Sequence, residues 1–551
     1  MRVLVIAIDG ATFDILDPWL AGGHLPHMAR LVGQGVKTPL MSVFPPLTPA
    51  AWSSFMTGKN PAKHGILEFL QRKADSYAPE PMNAGLRRGR SLWHLLSEAG
   101  QRVVVVNVPL TYPPEPVRGA LVAGMPVPEK RADFTYPPPL AREIRAWLPD
   151  YAINANTVYV RGQAEAFLAD VRAKLEQRLT VAERLIEREQ PDFAMVHILG
   201  TDRIQHEFWH CMDEAHSQHK GEALRYKNAI RDFFAEVDAG LPRLLRFADD
   251  STTVMLVSDH GFGPLERFVY LNTWLWQEGF LVLRRDALTR LKTLAFRAGF
   301  APTNIYHWVE RLGLGGMRGG MSMSSRQKLL DTLFLSFQDV DWSRTRAYAR
   351  GNFGQIFINK AGREPAGIVQ PGTDYDHTVA EIIARAEATL RDPHTGDTLL
   401  AAAQRREALF TGTPEQLDRA PDIALLMRDE ATVPLGTADF PANRVVDRAF
   451  GNTGDHRMNG IGILSGAGIQ PGTLESASLM DIAPTVLHLL GQPVPEDMDG
   501  RVLTEALLPE RRDVSYAPVR DEATSDQRQA EYTAAEEAEL MQHLHDLGYL
   551  G

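Results

Sequence analysis

Residues 254–263 read VMLVSDHGFG. An apolar run rich in β-branched residues breaks off at Ser258, Asp259, His260 and Gly261, the pattern of a buried strand that delivers a carboxylate and an imidazole at its carboxyl end. Open α/β sheets build their sites at that end. Taken alone, an Asp-His pair after a strand is more often a turn than a pair of ligands. The reading therefore depends on whether the arrangement recurs.

It recurs on both sides. The chain opens MRVLVIAIDG, a strand-length apolar run closed by Asp9 and Gly10. Residues 191–199, PDFAMVHIL, form another such run and lead into TDRIQH. A helix starting just after Thr201 sets Asp202 and His206 four apart on one face, within reach of a common point. His210, a turn further on, either completes a ligand set or packs, and His197, inside the apolar run, reads as a satisfied core histidine. GNTGDHR places His456 just before a strand expected over 459–464. Further strands are expected over 101–108 and 421–427, with helices over 91–99, 164–188, 224–247, 378–391 and 481–490. The sum is an α/β fold: a mixed, mostly parallel central sheet with helices on both faces, and insertions forming a cap.

Residues 44–66 read FPPLTPAAWSSFMTGKNPAKHGI. Thr48 before Pro49 has the form of an N-cap with proline at the first helical position, and the helix should run to about 56 and stop near Gly58. The positive helix end would ease an alkoxide on Thr48 and attract an anion. A plain cap is the competing reading.

At 551 residues the chain exceeds one ordinary domain. The expected division is a catalytic core over 1–280 with a cap-like insertion at 109–156, a basic helical segment over 281–345, and an α/β insertion over 346–452. The core returns over 453–505, and 506–551 is a tail with a short helix over 534–547. Proline-rich residues 109–149 read as covering loop rather than sheet. Residues 313–325, GLGGMRGGMSMSS, read as a lid or a solvent-exposed insertion. Nearby Arg284, Arg285, Arg290 and Lys292 either draw in an anionic substrate or solvate a helix face.

A net charge of −11 disfavours an extended nucleic-acid footprint, and the single cysteine, Cys211, precludes an intrachain disulfide. The opening apolar run is too short for a signal peptide. The uncharged stretch between Lys37 and Lys59 is broken by prolines, so no membrane span is expected and a cytoplasmic location is.

Collected, the strand-end and loop acids and imidazoles are Asp9, Asp202, His206, Asp259, His260 and His456, with Thr48 as the hydroxyl. Three carboxylates and three imidazoles suit two divalent ions, zinc or manganese. Such ions lower the pKa of a hydroxyl and stabilise the entering and leaving oxygens of a displacement at phosphorus.

These motifs also carry a resemblance. IDG at 8–10, LTPAAWSSFMTGKNPAKHGI at 47–66, TDRIQH at 201–206, SDHGFG at 258–263, GDHRMNG at 454–460 and DIAPTVLHLLGQPVPEDMDGR at 481–501 are similar, in order, to the alkaline phosphatase superfamily. Within it they resemble the type I phosphodiesterase/nucleotide pyrophosphatase group. The resemblance implies one metal on Asp9, Thr48, Asp259 and His260, and a second on Asp202, His206 and His456. It also implies Thr48 as nucleophile, forming a phosphothreonine that water hydrolyses. The substrate would be a small phosphate ester, a nucleotide among the candidates, and a diester in preference to a monoester. A monoesterase or phosphomutase of the same superfamily is the alternative, and a metal-binding protein without catalysis is the reading outside enzymes.

One departure stands out: Phe69 occupies the place where nucleotide pyrophosphatases of the group carry an asparagine that holds a phosphate oxygen. Lys59, Lys63 or Arg457 are the candidates to replace that contact. Ala50 and Trp52 stand where a sulfatase would carry the proline and arginine of its formylglycine pattern.

Overall fold

The computed structural model describes residues 1–546 except 130, 155–156, 158, 160–161, 306–331 and 520–531. Val3–Ile8 lies in the middle of a ten-stranded sheet and is buried on both faces. It pairs in parallel with Phe193–Ile198 on one side and Thr253–Val257 on the other, in the registers Ile8↔Ile198 and Ala7↔Val257. All three apolar runs therefore end at the same edge, which brings out Asp9, the turn after Ile198, and Ser258 to His260 together.

Beyond Phe193–Ile198 come Val103–Val106 and Gly119–Val122, both parallel, and the antiparallel Thr135–Tyr136. On the other flank Asn459–Gly466 runs antiparallel to Thr253–Val257, followed by Gly35–Met41 and, on its outer side, the short strands Gly472–Thr473 and Ala477–Ser478. The sheet is mixed and mostly parallel.

Strand alternation divides the core into two layers. Leu4, Ile6 and Ile8 face the helices Ala164–Glu189, Gly200–Met212 and Ala229–Leu245. Val3, Val5 and Ala7 face Thr48–Thr57, Leu92–Glu98 and Ile482–Leu489.

A second region has its own core around Val269, Trp274, Tyr348, Ile356 and Val379. It holds two four-stranded sheets. One joins Gly351–Asn352, Thr432–Gly436, Arg267–Tyr270 and Val446–Arg448; the other joins Ala347–Ala349, Gln355–Ile358, Ile423–Met427 and Leu400–Arg405. A two-stranded ribbon, Gly261–Pro264 against Gly454–Arg457, registers Phe262 opposite His456.

Two expectations need correction. Residues 109–149 are not loop alone: Gly119–Val122 and Thr135–Tyr136 extend the main sheet, and Leu140–Trp147 is a helix. The four-residue run Gly119–Val122 is hidden among flanking prolines, yet it extends the sheet beside Val103–Val106. Lys292 is no solvated cation: it is buried and paired with Asp339 at 3.0 Å. Residues 313–325 lie outside the described residues. Among those described, no helix is long and apolar enough to cross a membrane.

Candidate metal centre

Thr48–Thr57 carries Thr48 as its first residue rather than its cap. The cap position is Leu47, and no side chain closes the helix start. The hydroxyl is thereby left for another partner: Thr48 Oγ1 lies 3.3 Å from His260 Nε2, both residues fully buried. The helix ends at Gly58, whose φ of 65° takes the left-handed cap. His260 Nδ1 lies 3.0 Å from the Gly261 carbonyl. A carbonyl only accepts, so Nδ1 carries the proton and the Nε2 lone pair faces Thr48, whose O–H donates to it.

The other two imidazoles are held in the same way. His206 Nδ1 donates to the Gly454 carbonyl and His456 Nδ1 to the Pro46 carbonyl, each at 2.9 Å. Three Nε2 atoms therefore turn inward, toward three fully buried carboxylates.

Two sets emerge around them. Asp9, Asp259 and His260 offer ligand atoms within 4.8 Å of one another, and Thr48 adjoins this set through His260. In the other, Asp202 Oδ1 lies 3.4 Å from His206 Nε2 and 3.2 Å from His456 Nε2, and the two imidazole nitrogens are 3.0 Å apart. The His260 and His456 rings stack at 3.7 Å between centroids, so the sets adjoin. All seven residues singled out from the sequence are thus in one place.

The donor set fits divalent cations. Asp9 Oδ1 and Asp259 Oδ2 are buried without a hydrogen bond, and His260 Nε2 faces them at 3.5 and 3.2 Å. Without positive charge between them these atoms repel. Burial, with the neighbouring carboxylates Asp9 and Asp202, pushes the Asp259 carboxyl well above the ordinary range. Asp9 is raised too, by burial and by Asp202 and against its bond to His197. Burial opposes charging of His206, but Asp202 beside it outweighs that and lifts the imidazole to about 9. Burial, seconded by His456, holds His260 well below the ordinary imidazole value, which keeps its lone pair free. Oxygen and nitrogen ligands in this proportion suit zinc, and also manganese.

Two further histidines have other partners. His210 bonds Thr453 Oγ1 at 3.1 Å and belongs to neither set. His197 is more than a core histidine: its Nε2 donates to Asp9 Oδ2 at 2.7 Å, and Trp52 Nε1 donates to the same oxygen at 3.1 Å. Both were open to detection. His197 pairs in register with Ala7, two residues before Asp9, and Trp52 sits four residues after Thr48 on one helix face. Asp455 was also missed; its carboxylate joins His206 and His456 as a third possible ligand group.

Lys59 is paired with Asp497 and Lys63 with Asp499, while Arg457 donates to the carbonyls of His456 and Pro264. All three candidates for the phosphate contact are engaged elsewhere. Phe69 is buried among Ile66, Met82, Leu110, Met125, Leu199 and Leu544. Phe353 reaches in from the second region: its ring lies 6.1 Å from that of His456, nearly parallel, on a backbone with φ of 62°. No local sequence signal marks it.

Comparison with solved structures finds phosphonoacetate hydrolase from Sinorhizobium meliloti 1021 in complex with phosphonoformate. It is 16% identical over 88% of this chain and 94% of that one, with a TM-score of 0.49. Human ectonucleotide pyrophosphatase/phosphodiesterase 5 is 12% identical over 92% and 98%, with a TM-score of 0.47. No curated protein matches significantly. The family model for type I phosphodiesterase/nucleotide pyrophosphatase matches residues 3–440, a span that takes in every site residue but Asp455 and His456, which the ribbon supplies from beyond it. With that match covering well over half of the sequence, the chain belongs to the type I phosphodiesterase/nucleotide pyrophosphatase family, a family of phosphoester hydrolases.

Proposed function

We propose that this protein is a two-metal phosphodiesterase with Thr48 as nucleophile. The observation that carries the reading is the contact of Thr48 Oγ1 with the unprotonated Nε2 of His260 at the open start of a helix. Asp9, Thr48, Asp259 and His260 would hold one ion, and Asp202, His206 and His456 the other, zinc being the favoured metal. Bound there, divalent ions lower the pKa of a hydroxyl and stabilise charge on the entering and leaving oxygens.

Thr48 Oγ forms the new bond to phosphorus as the bond to the leaving alkoxide breaks, giving a phosphothreonine diester and a free alcohol. Water then attacks the same phosphorus, Thr48 leaves with its proton restored, and a phosphate monoester is released. The unpaired N–H groups of the first turn and the positive helix end favour the anionic phosphoryl group throughout. Trp52 and His197 hold Asp9, and the carbonyls of Gly261, Gly454 and Pro46 hold the three imidazoles. Residues 109–156 and 281–452 would frame the substrate pocket.

Turnover of bis(p-nitrophenyl) phosphate should exceed that of p-nitrophenyl phosphate; the reverse order would make the protein a monoesterase. Thr48→Ala should lower turnover by at least about 10³-fold while metal content stays near that of wild type. Unchanged turnover would remove Thr48 from the mechanism.

A further inference from the structure

The hairpin of Ala347–Ala349 with Gln355–Ile358 turns through Arg350 to Gly354, and its tip reaches the metal centre, where Phe353 lies against His456. Gly351, Phe353 and Gly354 all have left-handed backbone, with φ of 77°, 62° and 84°. A Cβ at Gly351 would fall 2.3 Å from Glu68 Oε1. A bulky residue at positive φ is strained, and such strain persists only where the surroundings over-determine it. Glu68 does so here, accepting from the Asn352 N–H at 2.9 Å and from Gln355 Nε2 at 2.7 Å.

Arg350 stands at the base of this tip. Its backbone N–H donates to the Gln355 carbonyl at 3.2 Å, and its guanidinium lies over the Phe357 ring, 4.8 Å from the centroid. Among the described residues its side chain makes no hydrogen bond and no ion pair, and its buried Nε has no acceptor. The two carboxylates whose charge reaches it are committed elsewhere. Glu68 holds the tip, and Glu364 pairs with Arg72 at 2.9 Å and Arg363 at 3.0 Å and accepts from the Tyr348 hydroxyl at 3.0 Å. Burial lowers the Arg350 pKa against the pull of Tyr348, Glu364 and Glu68. A guanidinium kept in such a place without an anion is costly, and a ligand can supply the missing charge.

We propose that Arg350 is a substrate-recognition residue, binding a second oxyanion, carboxylate or phosphate, on an ester arm of the diester whose phosphorus is attacked by Thr48. The inference rests on the phosphodiesterase reading and adds to it a substrate class: diesters that carry a second, separate negative charge. The planar fork of arginine matches either oxyanion, and stacking on Phe357 orients the fork while leaving its N–H edge for the ligand. Lys59, Lys63 and Arg457 are engaged with protein groups, so this duty falls to the second region.

Metal-loaded wild type and Arg350→Met are compared on p-nitrophenyl propyl phosphate and on the same diester with a 2-carboxyethyl or 2-phosphonoethyl arm in place of propyl. In wild type at least one anionic arm should raise kcat/KM by about 10-fold or more over propyl, chiefly through KM, and the better arm tells carboxylate from phosphate. Arg350→Met, which keeps an apolar stem on Phe357, should bring that ratio to about one, and Arg350→Lys should restore part of it. A ratio near one in wild type, or the same ratio in wild type and Arg350→Met, overturns the proposal, including the case in which the variant loses turnover of all the diesters alike. Calorimetric titration of the same compounds into metal-loaded Thr48→Ala reads the preference as affinity and needs no turnover. The two readings therefore fail separately: no hydrolysis of any diester by wild type removes the phosphodiesterase assignment, and equal affinities for the arms remove the role of Arg350.

Discussion

Asp9 is held in place through one of its two oxygens. His197 and Trp52 both donate to its Oδ2, which leaves Oδ1 facing the Asp259 and His260 side. Groups that orient a ligand in this way typically govern metal affinity by about 10- to 100-fold. His197→Ala should therefore weaken metal binding by that range while leaving Thr48 in place. Equilibrium dialysis against buffered zinc checks it, and an unchanged affinity would make His197 a packing residue only.

Glu68 offers a second residue-scale test. Its Oε1 accepts from the Asn352 N–H at 2.9 Å and from Gln355 Nε2 at 2.7 Å, securing the turn that presents Phe353 to His456. Burial, with Asp455 adding to it and the two hydrogen bonds opposing, pushes the carboxyl up to about 7. A raised carboxyl pKa means that the folded state binds the proton more tightly. The stabilisation is complete below the unfolded value near 4.3 and is lost as pH climbs through about 7. Urea midpoints of wild type and Glu68→Gln should diverge least favourably for wild type at pH 8 and recover at pH 5; a constant difference would show that Glu68 titrates normally.

At the scale of elements, Thr48–Thr57 works because its two ends are finished differently. An open start with Pro49 in its first turn frees the Thr48 hydroxyl, and a left-handed Gly58 turns the chain sharply toward Lys59 and Asn60. A Cβ at Gly58 would also approach Met498 Sδ at 2.8 Å, though that side chain can move. Gly58→Ala should cost about 1–2 kcal/mol from the backbone alone, read as a lower urea midpoint for the metal-loaded protein. The ribbon Gly261–Pro264 with Gly454–Arg457 has a comparable role. Its register sets His456 beside the strand turn that holds Asp259 and His260, so slippage by one residue would turn the imidazole to the other face.

At the scale of the molecule, three buried carboxylates and three inward imidazole nitrogens make folding and metal binding one equilibrium. Stripping metal with a chelator should lower the thermal midpoint, and zinc at about 100 times its dissociation constant should return about 2.7 kcal/mol per site. In the stripped protein Asp9 and Asp259 have raised carboxyl pKa values. The stabilisation from their protonation is therefore full at acid pH and lost as pH rises, whereas zinc reverses the trend by favouring the ionised forms. Midpoints recorded across pH with and without zinc should show opposite slopes, and parallel curves would mean that these carboxylates do not take up the metal.

Much of this was legible in the sequence because its signals are local. Apolar runs ending in Asp9, Asp259 and His260 specify buried strands with chemistry at one end, and Asp202 and His206 share a face wherever a helix forms there. Family-like motifs joined Thr48 and His456 to them. Tertiary structure decided the rest, since it depends on register and on contacts between residues far apart in the chain. That Thr48 bonds His260 rather than capping its helix, that His197 holds Asp9, that Phe353 lies against His456, and that Gly119–Val122 extends the sheet all follow from pairings hundreds of residues apart or hidden among prolines. Residue periodicity encodes which face is buried; only the packed chain determines what that face meets.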